Sequence, residues 1–270
     1  MFADRAAHEG SQRAGPVHVI DLHSHILPGL DDGARDLDAS LAMARSMAAD
    51  GVTVVAATPH VRDDYPTEPA AMEQALMQVR AVIADAGLSL DVRGGAEVAI
   101  DRLHRVDPDA RARFGLGGNP ALLLLEFPYH ALPLGLSHEC AVLVSEGVTP
   151  VIAHPERNPN IQARPEALLP LVEAGAVIQL TAASVDGRVG KAPAACARRL
   201  LELGLAHCVA SDAHGPGVRE AGLRAAAAAV GGPLGRWLTT DAPAALLEGM
   251  ALPPRPARPR RKFLPGLRRH

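Results

Sequence analysis

Apolar positions along the chain follow two alternating periods. Short β-branched or leucine-rich runs stand near 17–22 (VHVIDL), 52–57 (VTVVAA), 90–95 (LDVRGG), 121–126 (ALLLLE), 149–153 (TPVIA), 176–181 (AVIQLT) and 207–211 (HCVAS). Each has the length of a strand. Between and after them, helical spacing recurs near 36–50, 68–86, 138–146, 166–174, 193–204, 218–230 and 240–251. Asp36 precedes Leu37, Leu41 and Met43 as a helix start, and Pro193 falls at an early helical position. Gly51, Gly87, Gly147, Gly175 and Gly204 stand where helices end. Strands alternating with helices imply a parallel sheet, and about seven such units favour a closed β/α barrel over an open one.

Composition narrows the class. Hydrophobic residues at 48% and charged residues at 21% are the balance of a soluble globular chain with one sizeable core. Residues 1–16 are polar, without the apolar stretch of a signal peptide, and no run approaches the roughly 18 apolar residues of a membrane helix. The expected compartment is the cytoplasm. Cys140, Cys196 and Cys208 form no pairing pattern, which suits a reducing environment. The residues six positions after them are Glu146, Glu202 and His214, so a C-x5-R phosphatase loop is excluded. Residues 253–270 hold six arginines and Lys262 but no acid, a charge of +7 that leaves −10 on the rest from a total of −3. An acidic body argues against nucleic-acid binding. The expected organisation is a disordered extension (1–16), one domain (17–252) and a basic, proline-rich, disordered tail (253–270), whose charge suits an anionic membrane or an acidic partner.

The chemistry gathers at strand ends. The first strand runs into His23-Ser24-His25, the second into Thr58-Pro59-His60 and the third toward Glu97. The fourth ends at Glu126, the fifth at His154-Pro155-Glu156-Arg157 and the seventh at Ser211-Asp212-Ala213-His214. In β/α barrels the C-terminal face is where active sites are built. His23 and His25 share a face of an extended chain, as do Asp212 and His214, and each pair is a metal clamp. A lone HxH is more often structural. Two such pairs with His60, Glu97, Glu126 and His154 at equivalent positions point to a metal site for two or three ions. Mixed nitrogen and oxygen donors suit manganese, zinc or iron better than magnesium or calcium. Arg157 and Arg219 lie near these ligands, where a guanidinium binds phosphate oxygens. Glu156 reads as a solvated loop carboxylate, and His8, His18, His104, His130, His138, His207 and His270 as surface or structural.

The string from His23 to Gly33 (HSHILPGLDDG) resembles the first motif of the polymerase-and-histidinol-phosphatase (PHP) superfamily. More narrowly, the chain is similar to the bacterial PHP-type protein-tyrosine phosphatases of capsule and exopolysaccharide biosynthesis. The similarity is carried further by Ala57 to His60, Gly95 to Val98, Leu125 to Pro128, Ile152 to Asn158, Gln179 to Ser184, Gly187 to Lys191 and Ala210 to His214. It spans roughly residues 18–250. It implies a distorted seven-stranded (β/α)7 barrel with a trinuclear, usually manganese, centre. By motif the ligands are His23, His25, Asp32, His60, Glu97, Glu126, His154, Asp212 and His214, with Glu97 bridging two ions. Asp32 rather than Asp31 matches the family's ligand, a choice that spacing does not make. Arg157 and Arg219 match arginines that contact the phosphate.

The expected activity is phosphomonoester hydrolysis by a metal-bridging hydroxide, without a phospho-enzyme. The implied substrate is a phosphotyrosine protein, an autophosphorylated bacterial tyrosine kinase. The rivals are a histidinol-phosphate or other small-molecule phosphatase with the same cluster and, disfavoured by the complete ligand set, a silent binding module. The segments Asp63–Pro69 and Tyr129–Gly135 should flank the mouth of the site, with Tyr65 and Tyr129 placed to pack a substrate ring.

Overall fold

In the computed structural model the described residues are 18–128, 131–217 and 219–257. Nine strands run through them: β1 (Val19–Ser24), β2 (Val52–Ala57), β3 (His60–Val61), β4 (Asp91–Arg93), β5 (Glu97–Ala99), β6 (Leu122–Glu126), β7 (Thr149–Ile152), β8 (Val177–Thr181) and β9 (Cys208–Ala210). Every pairing between them is parallel, in a three-stranded order β1-β2-β4 and a six-stranded order β3-β5-β6-β7-β8-β9. The result is a single α/β domain with a curled parallel sheet.

Two short strands that were not expected, β3 and β5, follow β2 and β4, which is why nine stand where seven were expected. Thr58-Pro59 separates β2 from β3, and a proline has no N–H to give to a ladder. Gly94, Gly95 and Ala96 separate β4 from β5, and the Ala96 amide leaves the sheet to donate to Phe114 O at 3.1 Å. Backbone bonds still link the two sheets on one side. The bonds run between β1 and the end of β9, where Asp212 N donates to His23 O and His25 N to Ala213 O, each at 2.8 Å.

Helices begin and end largely where the sequence placed them. Asp36 caps Leu37–Ala49 by accepting from Ala39 N at 2.8 Å, and Pro69 opens Pro69–Asp85. Gly204 closes Lys191–Leu203 in the left-handed region, which only glycine enters without strain. The stretch expected near 166–174 divides into a 3-10 turn, Pro165–Leu168, and a short helix, Leu169–Glu173.

The core is sorted by strand parity. Leu122, Leu124, Val151, Ala153, Val177, Cys208 and Ala210 form an inner cluster within the curl. Leu123, Leu125, Ile152, Ile178, Leu180 and Val209 face outward, in the larger cluster that contains the helices' buried residues. The same parity carries Glu126, Gln179 and Asp212 to the interior just where each strand finishes. Register does the rest, since His60 pairs with Glu97 and Glu97 with Leu124, an inward residue.

Residues 1–17 and 258–270 lie outside the described residues, so the expectations for residues 1–16 and for most of the basic tail fall there. The start of that tail is bound to the body rather than detached from it. Trp237 Nε1 donates to Pro253 O, and Arg255 Nη2 donates to Leu201 O, both at 3.0 Å.

Candidate metal centre

All nine residues expected as ligands come together, His60 and Glu97 as the first residues of β3 and β5, just beyond the ends of β2 and β4. Four overlapping groups of donor atoms meet there, and they merge into three neighbourhoods. In the first, His23 Nε2 and His25 Nε2 stand 3.2 Å apart, each 3.3–3.5 Å from Glu97 Oε2 and Asp212 Oδ1. In the second, Glu97 Oε1 lies 2.9 Å from His154 Nε2 and Glu97 Oε2 lies 2.9 Å from His60 Nδ1. Glu126 reaches the same two rings at 3.8 and 3.7 Å. In the third, Asp32 Oδ1 is 3.5 Å from His60 Nε2 and 3.3 Å from His214 Nε2, with His25 close by. Glu97 joins the first two, His60 the last two, and His25 the first and the third.

The electrostatics call for positive charge among these donors. Burial would lower the His23 imidazole, but Glu97 and Asp212 outweigh it and push its pKa up to about 9. His60 is likewise raised to about 10 against burial, by Glu97, Asp32 and Glu126. Despite burial, Glu97 and Asp212 are held well below the usual carboxylate range by the surrounding histidines. Glu126 is raised, by burial and by the charge of Glu97. His214 drops to about 4, first through burial. Three atoms at the centre, His60 Nδ1, Glu97 Oε2 and His214 Nε2, are buried without a hydrogen-bond partner. Such groups are costly unless something binds them. Buried imidazole nitrogens facing carboxylate oxygens are a fitting donor set for transition-metal ions.

A ring of supports fixes the donors. Asp31 Oδ2 sits 2.6 Å from His25 Nδ1 and accepts from His60 N at 3.0 Å, while its Oδ1 accepts from Gly33 N at 2.9 Å. Gly33 is pressed against His25, so that a Cβ there would come within 2.2 Å of His25 O. Gln179 Oε1 lies 3.0 Å from His23 Nδ1. Asp21, fully buried, accepts from His23 N and Ser211 N and so ties β1 to the end of β9. Partners of this kind set the tautomer and aim of a ligating ring. Sequence reasoning gave Asp31, Gln179 and Asp21 no role. The one visible signal was a glutamine at an inward position of an apolar strand, AVIQLT.

His154 (φ 32°) and Asp212 (φ 52°) are the only non-glycine residues with positive φ among the described ones. Backbone strain of this kind collects at functional sites. It turns each side chain back over the strand ends.

Two arginines close one side of the centre. Arg157 Nη1 donates to Asp212 Oδ2 at 2.5 Å, and Arg219 Nη2 lies 3.3 Å from both Asp212 oxygens, with its Nη1 3.6 Å from Asp32 Oδ2. A third, not foreseen, is Arg62, whose Nη1 is 3.5 Å from Glu126 Oε2. Tyr65, half-buried, lies beside the centre. It stacks on His60 at 5.9 Å and is covered by the Arg62 guanidinium at 5.1 Å. Tyr129 lies outside the described residues. Glu156, expected to be solvated, is fully buried.

Similarity to known proteins agrees with this geometry. Residues 19–242 match the family described as capsular polysaccharide synthesis, CpsB/CapC. The chain belongs to the CpsB/CapC family. It is 40% identical to the tyrosine-protein phosphatase YwqE of Bacillus subtilis over 73% of this chain and 77% of that one. It is 28% identical to the tyrosine-protein phosphatase CpsB of Streptococcus pneumoniae, over 73% of this chain and 83% of its relative. A chain from the crystal structures of YwqE and CpsB, described as unique metal-dependent tyrosine phosphatases, superposes with a TM-score of 0.80 at 35% identity. That match covers 89% of this CpsB/CapC member and all of the other chain.

Proposed function

We propose that this CpsB/CapC member is a metal-dependent protein-tyrosine phosphatase holding three ions, manganese in the first instance. The observation that carries the reading is the meeting of four overlapping donor groups through His23, His25, His60 and Glu97, with two guanidinium groups at their edge. His23, His25, Glu97 and Asp212 would hold one ion, His60, Glu97, Glu126 and His154 a second, and Asp32, His60 and His214 a third. When bound, the ions supply water of lowered pKa and offset phosphate charge. Arg157 and Arg219, already presented toward Asp212, would take phosphate oxygens and follow their charge into the transition state. A tyrosine leaves as a phenolate of pKa about 10, so no strong general acid is assigned.

The substrate is read as a phosphotyrosine protein, a bacterial tyrosine kinase of polysaccharide assembly, met in the cytoplasm. Two related tyrosine-protein phosphatases and the capsule-synthesis family support this. Residues 17–252 are read as the catalytic unit. The nine strands are read as seven courses of one barrel, β3 continuing β2 and β5 continuing β4, which suits the backbone bonds between the sheets. No helix among the described residues is long and apolar enough to cross a membrane. The test is a screen of chelated, manganese-reloaded enzyme on phosphotyrosine peptides, phosphoserine peptides and histidinol phosphate. Preference for histidinol phosphate in kcat/KM would overturn the tyrosine-phosphatase reading.

A further inference from the structure

Glu156 belongs to none of the donor groups, yet it is fully buried directly between His154 and Arg157. Its Oε1 accepts from the Thr181 amide at the end of β8 at 2.9 Å, and the Ser184 hydroxyl lies beside the same carboxyl. Its own carbonyl accepts from Gln162 Nε2 at 2.9 Å. Two residues on, Asn158 Nδ2 donates to Pro128 O at 2.9 Å and Ala131 O at 3.1 Å, beyond β6. The 3-10 turn Pro155–Arg157 is therefore pinned to β8 on one side of Arg157 and to the segment after β6 on the other. A buried carboxylate is expensive, and its natural place in a loop is solvent. Placing one here makes sense if it fixes something whose position matters. The same stretch of chain that supplies Thr181 and Ser184 also supplies Gln179, which aims His23.

We infer that Glu156 is the positioning residue for Arg157, acting through the Thr181 anchor to hold the guanidinium at the edge of the metal centre. This rests on the phosphatase reading, in which Arg157 takes a phosphate oxygen. Displacing a group by about 1 Å can cost as much as 10²-fold in rate. Glu156→Ala, which frees the turn, should lower kcat/KM for a phosphotyrosine peptide by about tenfold to a hundredfold with metal content unchanged.

The test is a double-mutant cycle on manganese-loaded enzyme. Glu156→Ala should add little to the loss already caused by Arg157→Ala, but should multiply the loss caused by Arg219→Ala. Glu156→Gln, whose amide oxygen can still accept from Thr181 N, should recover most of the activity. Should Glu156→Ala fail to fold, Glu156→Asp takes its place in the same cycle, because a shorter acid cannot keep the anchor length. Wild-type kinetics, full additivity with Arg157→Ala, or a parallel loss of metal would each overturn the inference, the last by reassigning Glu156 to His154. If Arg157→Ala itself turns over like wild type, the phosphatase reading fails instead.

Discussion

Arg157 and Asp212 share a hydrogen bond of 2.5 Å, Nη1 to Oδ2, and Asp212 is also one of the residues grouped with His23 and His25. The carboxylate that faces the candidate metal centre is thus the one that holds both arginines proposed to bind phosphate. Arg219 approaches the same carboxylate at 3.3 Å. Changes at the arginines should be felt in turnover before they are felt in folding. Arg157→Ala and Arg219→Ala are each expected to lower kcat by about 10²–10³, the usual cost of losing one transition-state donor. Metal analysis and thermal melting alongside the kinetics check this, and wild-type turnover in the double variant would return both to plain surface charges.

Chelation should abolish activity, and manganese should restore more of it than magnesium, because nitrogen donors are prominent in every set. The ligands should not be equal. Glu97 touches two donor sets and Asp32 one, so Glu97→Gln should lose more metal per chain than Asp32→Asn when both are measured by elemental analysis. Equal stoichiometries would break the proposed sharing.

Phosphotyrosine peptides should outrun phosphoserine peptides by at least about tenfold in kcat/KM, a barrier difference of about 1.4 kcal/mol. The cause is the leaving group, since a phenolate departs without protonation and an alkoxide does not. Matched peptides differing only in the phosphorylated residue provide the comparison, and equal rates would require a general acid.

Stability should fall on the acid side through His207. Burial and then Arg255 push its pKa down to about 4, and its Nδ1 accepts from Ile178 N at 3.0 Å, so the fold holds it neutral. The unfolded chain binds a proton near pH 6.5 that the folded chain refuses until about pH 4. The contribution is complete above about pH 6.5 and is lost as pH falls between those values. His207→Gln should flatten that decline in urea midpoints measured at pH 7 and pH 5. An unchanged slope would mean that other groups set it.

The basic tail divides at its first residues. Truncation after Ala257 should leave the melting temperature alone. Truncation after Leu252 removes the acceptor of Trp237 Nε1 and the Arg255 bond to Leu201 O, at a cost of about 1–3 kcal/mol. Hydrolysis of a small aryl phosphate by the folded enzyme should be the same for both. A large catalytic loss in either would place the tail in the site.

Much of this could be read from the residue string because strand ends are local. Polar residues closing apolar runs placed His60, Glu97, Glu126 and Asp212 at one face, and parity and register then turned them inward. The choice of Asp32 over Asp31 came from resemblance, and the structure shows why spacing could not make it. Both carboxylates reach the centre, one holding the back of His25 and the other facing His60 and His214. What stayed hidden was burial. Glu156 looks like any charged loop residue until β8 is laid against its turn, and nothing in the string sets Tyr65 beside His60 and Arg62. The two short extra strands β3 and β5 were also unforeseen; β5 begins only after the Ala96 amide has turned to its acceptor on Phe114.

The left-handed backbone at His154 and Asp212 sets a limit on how robust such a protein can be. Each such conformation costs on the order of 1 kcal/mol or more for a residue with a side chain. It falls on two of the proposed ligands, where bound ions would offset it along with the crowding of donors. A glycine at either position would relax the chain and silence the centre. Selection for thermal endurance alone would drift toward well-folded, inactive descendants, and only continued demand for catalysis keeps the tension in place.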